Sequence, residues 1–501
     1  MKHHQWVIKL PLLLCFLSCV AANNALAQTP QPTIEYRFDN RTDFQNRLVE
    51  NRSSSSYQGT IEGNAQQTVG VLGNSIQMND SDTYVVAAGS ESLNFSRGLT
   101  VEAFVQRTAN TNEDAVVSKW YGNDQFLLTF YSQGNGLLVF SVKLPSGDYA
   151  TVEYAIPNTS YLQDWVRVAA TYDGRGRLGL YWNGQKVAQK VVAGRGMAAG
   201  GIPIHIGDAN NTWSRFNGKI DEVRIWSRAL RESELTQPLR PKVLVIEYSS
   251  SDPTYNNPRR ISRDLINTIS NSSKQYVQFE IANWIKTSVR PPQRAGGGFD
   301  YGGMFQQFNI CQKANRGDIH EVWVWAGPDG GMLEYAINGP WREAYGIGVR
   351  MPACDIQMVT MGFNYERQLP EATHSFTHRL ENTYRNYWGS YWDAFDGQYY
   401  RYAYNQENQP PLVTTGQHCG NVHFPPNADR HYEYESTDVV SSNCQTWRSD
   451  GGGTYNNITC SAWGCTQHGF LSWWMSNIPG PDNSNGPNGE PLPNWWTKVV
   501  E

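Results

Sequence analysis

Between residues 34 and 226, short apolar or alternating runs recur with Gly, Asn and Asp between them. Alternation with a period of two is typical of strands that bury one face, and the intervening residues are typical of turns. The pair Asn183-Gly184 tolerates the positive φ angles of a two-residue hairpin turn. The pattern therefore predicts an all-β antiparallel sandwich over residues 32–235. The clearest predicted strands are residues 99–105, 126–130, 137–142 and 167–172.

The pattern changes after residues 236–241, a segment with Pro238 and Pro241 that is typical of a linker. Lys242–Tyr248 is a nearly continuous apolar run, which predicts a strand buried on both faces of a parallel sheet. Because predicted strands and helices alternate from there on, we expect residues 242–501 to form an α/β domain. The predicted strands are 276–285, 319–325 and 356–363, and the predicted helices are 260–269 and 304–314.

Sheets of this kind hold their sites beyond the carboxyl ends of the strands. Polar side chains follow three of the predicted strands and are candidates for such a site: Glu247, Asp329, Glu334, Asn364 and Glu366.

Composition narrows the class of function. At ~150 residues per domain, 501 residues predict two or three domains. The net charge of -5 argues against a nucleic-acid partner, which normally meets a basic surface. Aromatic residues make up 13% of the chain, with 18 Trp and 27 Tyr, and such rings fill cores and stack on sugars. We therefore expect an extracellular glycan or cell-surface ligand as the partner.

The N-terminus predicts export. Lys2 and Lys9 precede an apolar run over residues 10–22, and Ala25-Leu26-Ala27 follows this run. This is the pattern of a signal peptide, residues 1–27, cleaved after Ala27. The alternative is lipid attachment at Cys19. The apolar run is too short to span a bilayer, so we expect no transmembrane segment after cleavage and a secreted, periplasmic or cell-surface protein.

Six cysteines remain beyond the leader, all in the second half of the chain. In an oxidising compartment an even set predicts three disulfides, and Cys460 and Cys465 are close enough in sequence to pair locally. Zinc binding by the thiols is the alternative, although no C-x2-C pair occurs. The full set is Cys311, Cys354, Cys419, Cys444, Cys460 and Cys465.

Six fragments of the first half carry a resemblance to a known family. Together they resemble the LamG-like jelly roll of the concanavalin A-like lectin/glucanase superfamily. In order along the chain they are Tyr36-x-Phe38, residues 99–105, residues 165–174, residues 181–184, Ile206-Gly207 and residues 218–226.

The resemblance implies a sugar- or protein-binding module, often with one Ca²⁺, and not a catalyst. Asp39 and Asp221 are the candidate oxygen ligands for Ca²⁺, and their alternative role is that of ordinary turn and strand-end carboxylates. In a strand, Asp221 and Glu222 would point to opposite faces, so they do not form a catalytic acid pair. The loop 208–215 carries groups that grip sugars, and the candidate ligand-binding residues are Asp208, Asn210, Trp213 and Arg215.

Residues 369–387 predict a helix with two specialised faces. At 100° per residue His374 and His378 share one face with Glu371 and Glu381, while Phe376 and Leu380 lie on the opposite side. Two imidazoles one turn apart can hold a divalent transition metal. The alternative is a polar helix face held by Glu–His and Glu–Arg pairs.

A third metal ligand has to come from another segment, and His423 or His431 are the candidates. The fit to a metalloprotease is poor, because H-E-x-x-H needs a Glu where this chain has Ser375. The candidate catalytic bases are therefore Glu366, Glu371 and Glu381.

Two functions follow from these patterns. The first is a secreted protein whose LamG-like module binds carbohydrate or cell-surface ligands, joined to an α/β domain of unknown activity. The second is an exported metal-dependent hydrolase acting on glycans or peptides. Residues 361–367 and the helix after them resemble an uncharacterised region of secreted bacterial proteins, which names no reaction. The hydrolase requires that the histidine face converge with Glu247 and Glu366 in a cleft.

Overall fold

A computed structural model describes residues 30–500 except 80, 111–112, 123, 160, 211–212, 236–237, 249–255, 339–350, 353, 398–417 and 482. The predicted export signal, residues 1–27, lies outside the described residues. From Gln31 onward the chain forms one compact unit. No helix in the described part of the chain is long and apolar enough to cross a membrane.

Two eight-stranded antiparallel sheets form the first half, as the alternating pattern predicts. The first sheet has the order β14-β13-β12-β7-β16-β5-β4, with β1 paired to β16, and the second has the order β11-β10-β9-β8-β15-β6-β3-β2. The strands are β1 Ile34–Tyr36, β2 Leu48–Val49, β3 Gly59–Glu62, β4 Gln66–Val69, β5 Asn74–Met78, β6 Tyr84–Ala87, β7 Leu99–Arg107, β8 Glu113–Lys119, β9 Phe126–Tyr131, β10 Leu137–Lys143, β11 Tyr149–Ala155, β12 Val166–Tyr172, β13 Arg177–Trp182, β14 Gln185–Val191, β15 Ile204–Ile206 and β16 Gly218–Trp226. Two short helices accompany them, α1 Arg41–Gln45 and α2 Glu232–Leu235.

Alternate residues of the strands fill the space between these two sheets. In β7, Val101, Ala103 and Val105 lie in the sandwich core, which fixes the register of the strand. The hairpin between β13 and β14 turns at Asn183 and Gly184, with φ of 49° and 85°, so the predicted turn is confirmed.

The second half holds a five-stranded mixed sheet of order β18-β17-β19-β21-β20, in which only β20 runs antiparallel. A jelly-roll sandwich followed by an α/β region is therefore the observed fold class. The sheet strands are β17 Lys242–Tyr248, β18 Glu280–Thr287, β19 Glu321–Ala326, β20 Tyr335–Asn338 and β21 Met358–Asn364; β22 Val440–Ser442 and β23 Asn456–Ile458 form a separate pair. The helices are α3 Pro258–Ser272, α4 Tyr301–Gln307, α5 Ile310–Asn315, α6 Leu369–Trp388, α7 Ser390–Asp396 and α8 Gln467–Ser476.

One predicted helix, residues 304–314, is two helices in the structure. The chain breaks between α4 and α5 because Asn309 takes a left-handed conformation with φ of 49°. A single residue in this region ends a right-handed helix.

Three disulfides tie the loops of the second half, as the cysteine count predicts. They join Cys311 to Cys354, Cys419 to Cys444 and Cys460 to Cys465.

The outer face of the first sandwich sheet is covered by the second half. Phe104 of β7 and the neighbouring Trp165 are buried in the same cluster as Trp323 and Phe376 of the α/β region. Polar contacts cross the same boundary, since Lys498 Nζ lies 3.5 Å from Asp164. The domain boundaries themselves stay predictions, because the two halves share this core.

Candidate metal centre

Helix α6 presents the histidines. Pro370 stands in its first turn, where a missing N–H costs nothing, and a capping box closes its start. In that box the carboxylate of Glu371, a predicted catalytic base, accepts the backbone N–H of Gln368 at 3.1 Å. Phe376 and Leu380 are fully buried on the opposite side of the helix, which fixes its rotation.

Three imidazoles converge on the polar face of this helix. The Nε2 atom of His378 lies 3.0 Å from Nε2 of His374 and 3.2 Å from Nε2 of His423. One nitrogen from each ring lies within 4.8 Å of the others. The loop that brings in His423 is held by its own hydrogen bonds, with the backbone N–H of His423 bonded to Asn421.

These separations fit a shared metal ion. Zinc–nitrogen bonds of about 2.0–2.1 Å in a tetrahedron place two ligand nitrogens roughly 3.3 Å apart. His374, His378 and His423 thus form a cluster that can hold a divalent metal. His431, the other candidate for a third ligand, lies outside this cluster, with its ring centroid 5.5 Å from that of His423.

Glu381 fixes the orientation of His378. Its Oε2 lies 2.9 Å from Nδ1 of His378, and its Oε1 accepts the backbone N–H of Val422 at 3.0 Å. A carboxylate on Nδ1 leaves the Nε2 lone pair free for a metal, the arrangement commonly found behind metal-bound histidines. Glu381, predicted as a catalytic base, therefore contacts the ring nitrogen of His378 that does not face the other two imidazoles.

Burial favours the neutral imidazole at two of the three ligands. It lowers the pKa of His374 and that of His423 to about 3, with the charge of His378 adding to the effect. Burial also opposes charge on His378, but the Glu381 carboxylate outweighs it and raises the pKa of that ring. Neutral rings at His374 and His423 are the form that binds a metal.

Glu334 supplies a further carboxylate. It was a candidate at the end of a predicted strand, but the sequence did not place it beside the histidines. It lies one residue before the edge strand β20, and its Oε2 is 3.8 Å from Nε2 of His378. Its Oε1 accepts a hydrogen bond from Ser375 Oγ at 3.3 Å. Ser375 is the position at which an H-E-x-x-H helix has its glutamate. Glu334, from the segment just before β20, thus brings a glutamate next to Ser375, and its only signal in the sequence was its position after a predicted strand.

A cavity of about 330 Å³ is lined by Glu334 and Ser375, and the three histidines are not among its described lining residues. It lies beyond the carboxyl ends of β19 and β21, where sheets of this type hold their sites. Among the described residues that line it are Glu334, Ser375, Glu371, Asn364 and Arg367.

Two other predicted acids do not meet the histidines. Glu366 is exposed. Glu247 is buried at the end of β17, where it accepts from Trp284 Nε1 at 2.7 Å and pairs with Lys286. The convergence of the histidine face with Glu247 and Glu366 therefore does not occur, and Glu334 lies beside His378 instead.

The loop 208–215 of the jelly roll divides into buried and exposed groups. Asp208 is buried and lies 3.0 Å from His205, and Arg215 sits 5.4 Å above the Tyr84 ring. Trp213 is 84% exposed, and Asn210 donates to the backbone of Tyr121 at 2.7 Å. Two of the four predicted ligand-binding residues thus contribute to the fold, while Trp213 faces solvent.

Asp39 and Asp221, the predicted Ca²⁺ ligands, meet at one loop. Asp39 accepts the N–H of Asn74 at 3.0 Å, and Asp221 accepts that of Val71 at 3.0 Å. Burial, followed by the charges of Glu222 and Asp39, raises the pKa of Asp221. The second oxygen of Asp39 is buried without a hydrogen bond, 3.8 Å from His320. Both residues thus bond backbone N–H groups of this loop, and the group of metal-ligating side chains found among the described residues does not include them.

The pair Asp221-Glu222 departs from simple alternation. Strand β16 has an irregularity between Asp221 and Arg224, and Glu222 has a φ of 48°. Both carboxylates are buried. Asp221 accepts hydrogen bonds from backbone N–H groups, and Glu222 forms an ion pair with the guanidinium of Arg224. They bond to different partners, so they do not form an acid pair.

Comparison with known proteins gives a family model and several solved structures. No curated protein matches the chain. The binding domain of Paraclostridial Mosquitocidal Protein 1 aligns with 41% of this chain and 51% of its own length, at 19% identity and a TM-score of 0.34. The receptor binding domain of botulinum neurotoxin C/D mosaic serotype aligns with 41% and 50%, at 13% identity and a TM-score of 0.34. This chain therefore spans about half of the length of those structures.

A third structure aligns over nearly its whole length. Domain 4 of AbnA, a GH43 extracellular arabinanase from Geobacillus stearothermophilus in complex with arabinotriose, is covered to 96%, with 41% of this chain, 20% identity and a TM-score of 0.32. Residues 79–236 match the family model described as the concanavalin A-like lectin/glucanases superfamily. Residues 79–236, within the sandwich of the first half, therefore belong to a LamG-like jelly roll of the concanavalin A-like superfamily.

Proposed function

We propose that the second half of the chain is a metal-dependent hydrolase and that the jelly roll holds a carbohydrate or cell-surface ligand beside it. The observation that carries the proposal is the convergence of three imidazole nitrogens with a carboxylate 3.8 Å away. In this proposal His374, His378 and His423 hold the metal and Glu381 orients His378.

Glu334 acts as the general base. When bound, a divalent metal lowers the pKa of water and polarises a carbonyl oxygen. Glu334 takes the proton of the attacking water and returns it to the leaving group, a role that needs a carboxylate near the metal but not tied up elsewhere. Its side chain is 35% exposed toward the cavity, and Ser375 Oγ holds one of its two oxygens.

The site favours an acyl bond, as in a peptide or ester, over a glycosidic bond. Glycosidases use two carboxyl groups on opposite sides of the bond. Of the two glutamates that line the cavity, Glu371 is engaged in capping helix α6, which leaves Glu334 as the free carboxylate. One base beside a metal cluster is the arrangement of metal-assisted acyl hydrolysis.

The test is metal content together with hydrolysis. We expect the purified full-length protein to carry about one equivalent of a divalent transition metal. His378→Ala should remove both the metal and any hydrolysis of a peptide and ester panel, while His431→Ala, a histidine next to the cluster, should change neither. Wild-type protein that stays metal-free and gains no thermal stability from added Zn²⁺ or Mn²⁺ contradicts the proposal.

For the jelly roll we propose a ligand surface at loop 208–215 centred on the exposed Trp213, with Asn210 beside it. Export of the mature protein after Ala27 belongs to the same proposal, because three disulfides favour an oxidising compartment. Asp39 and Asp221 are the proposed Ca²⁺ ligands. N-terminal sequencing of the secreted product checks the export step, and a start at a lipid-modified Cys19 contradicts it.

A further inference from the structure

A cleft of about 300 Å³ lies where the jelly roll meets the C-terminal loop of the second half. This volume is at the small end of ligand pockets, which hold ~300–1,000 Å³. One wall is the end of β11 and the β13–β14 hairpin, and the other is the segment 481–494. The cleft contains none of the residues of the metal centre. The lining residues that matter here are Trp182, Tyr154, Gln185, Asn183, Pro481 and Pro491.

The aromatic wall of the cleft is held in place from behind. The ring of Trp182 meets Tyr161 edge to face at 5.3 Å and Phe130 at 6.4 Å. Tyr154 lies 6.1 Å from the same indole. Rings fixed in this way lose little freedom when a ligand stacks on them.

Unused hydrogen-bonding groups accompany these rings. Among the described residues, the indole N–H of Trp182, the hydroxyl of Tyr154 and the side-chain amide of Gln185 have no protein partner. Flat rings next to free donors and acceptors suit a ligand with apolar C–H faces and many hydroxyl groups.

The opposite wall is also preformed. The amide of Asn483 donates to the carbonyl of Leu492 at 3.0 Å and accepts its N–H at 2.8 Å, so it pins the two ends of the loop together. Pro481 and Pro491 stiffen the same segment.

The described lining of the cleft carries no spare charge. Asp164 is the only charged residue among the described lining residues, and Lys498 lies 3.5 Å from its carboxylate. An anionic ligand would find no free cation here, and a cationic ligand would compete with Lys498.

We propose that this cleft binds a neutral sugar unit, stacked on Trp182 and hydrogen-bonded by Tyr154, Gln185 and Asn183. It is separate from the surface proposed at Trp213, and it joins residues of both halves of the chain. The ligand is thus an uncharged oligosaccharide, free or at the end of a glycan.

The test measures binding of full-length protein to a panel of neutral trisaccharides by isothermal titration calorimetry: xylotriose, cellotriose, maltotriose, arabinotriose and mannotriose. We expect at least one to bind. Trp182→Ala should lower its affinity at least 10-fold. The double variant Tyr154→Phe/Gln185→Ala keeps the packed rings and should lower the affinity about 10-fold, since each hydrogen bond contributes about 3- to 10-fold.

Tyr149→Ala is the matched control, an exposed aromatic residue of strand β11 outside the cleft, and should change the affinity less than 2-fold. Trp182→Ala should keep the metal content of the wild-type protein, which separates this proposal from the metal centre. The proposal is overturned if no member of the panel binds at millimolar concentration, or if Tyr149→Ala abolishes binding while the double variant does not.

Discussion

In the jelly roll, Arg107 donates to the buried carboxylate of Asp114 at 2.9 Å, whereas in the second half His378 directs Nε2 at two other imidazole nitrogens. The first pair satisfies itself, since donor and acceptor meet and neither needs a ligand. The second arrangement gathers the nitrogens of three imidazoles at one place, as a shared metal ion requires. Buried polar groups in the two halves therefore serve different ends, and the half with the recognised family is not the half with the proposed chemistry.

The largest expected effect tests whether Glu334 is a base. Glu334→Gln should lower kcat about 10²- to 10⁴-fold while the bound metal stays, because the amide cannot take a proton. Ser375→Ala, which removes only the hydroxyl next to it, should have a smaller effect. Metal analysis and steady-state kinetics on both variants check this. Loss of the metal in Glu334→Gln would make the carboxylate a ligand instead.

A comparable effect on stability is expected from the jelly-roll pair. Asp114→Ala should lower the free energy of unfolding by about 3–5 kcal/mol, because it leaves the Arg107 guanidinium buried without its charge partner. Urea unfolding of the full chain measures it. Asp173→Ala, a turn carboxylate of the same domain, serves as control. An equal loss in both variants would remove the distinction between a buried pair and an ordinary turn.

The two halves also differ in their disulfides, since every cysteine beyond the leader lies in the second half. Chain entropy gives about 3.5 kcal/mol for the bond Cys419–Cys444, with a separation of 25 residues, and about 2 kcal/mol for Cys460–Cys465, with a separation of 5. We expect Cys419→Ala/Cys444→Ala to lower the stability more than Cys460→Ala/Cys465→Ala. Thermal melts decide the order, and the reverse order contradicts the entropic account.

The smallest of these effects concerns Glu381. Glu381→Gln keeps a hydrogen-bonding oxygen but loses the charge behind His378, and metal affinity should fall about 10- to 100-fold. Competition with a chelator of known affinity measures the change. Glu371→Gln, on the same helix but in its cap, should leave the affinity unaltered. A similar fall in both variants would show that the helix matters as a whole and Glu381 does not.

Local periodicity explains what the sequence predicted. The strand over β7, the turn at Asn183-Gly184 and the two faces of α6 each depend on neighbours in the chain, so their residues carry the signal themselves. The candidates His374, His378 and His423 were found because two of them lie one helical turn apart.

The features of the fold and of the site that the sequence did not predict depend on contacts between residues far apart in the chain. Glu334 reaches Ser375 across 41 positions of sequence, and no periodic pattern marks such a meeting. The burial of Phe104 and Trp165 against the second half is likewise invisible in an alternating strand, which predicts two faces but not what covers the outer one.

Under the proposed functions, that covered face fixes the distance between the ligand surface of the jelly roll and the hydrolytic centre. A binding module on a flexible linker lets an enzyme search the neighbourhood of its anchor, whereas two halves that share a core hold the jelly roll and the histidine cluster as one body. Such a body keeps the distance between the two proposed sites constant. If both proposals hold, a long substrate bound by the jelly roll is cut only at a set spacing from the point of attachment, and products of a few discrete lengths are the expected signature.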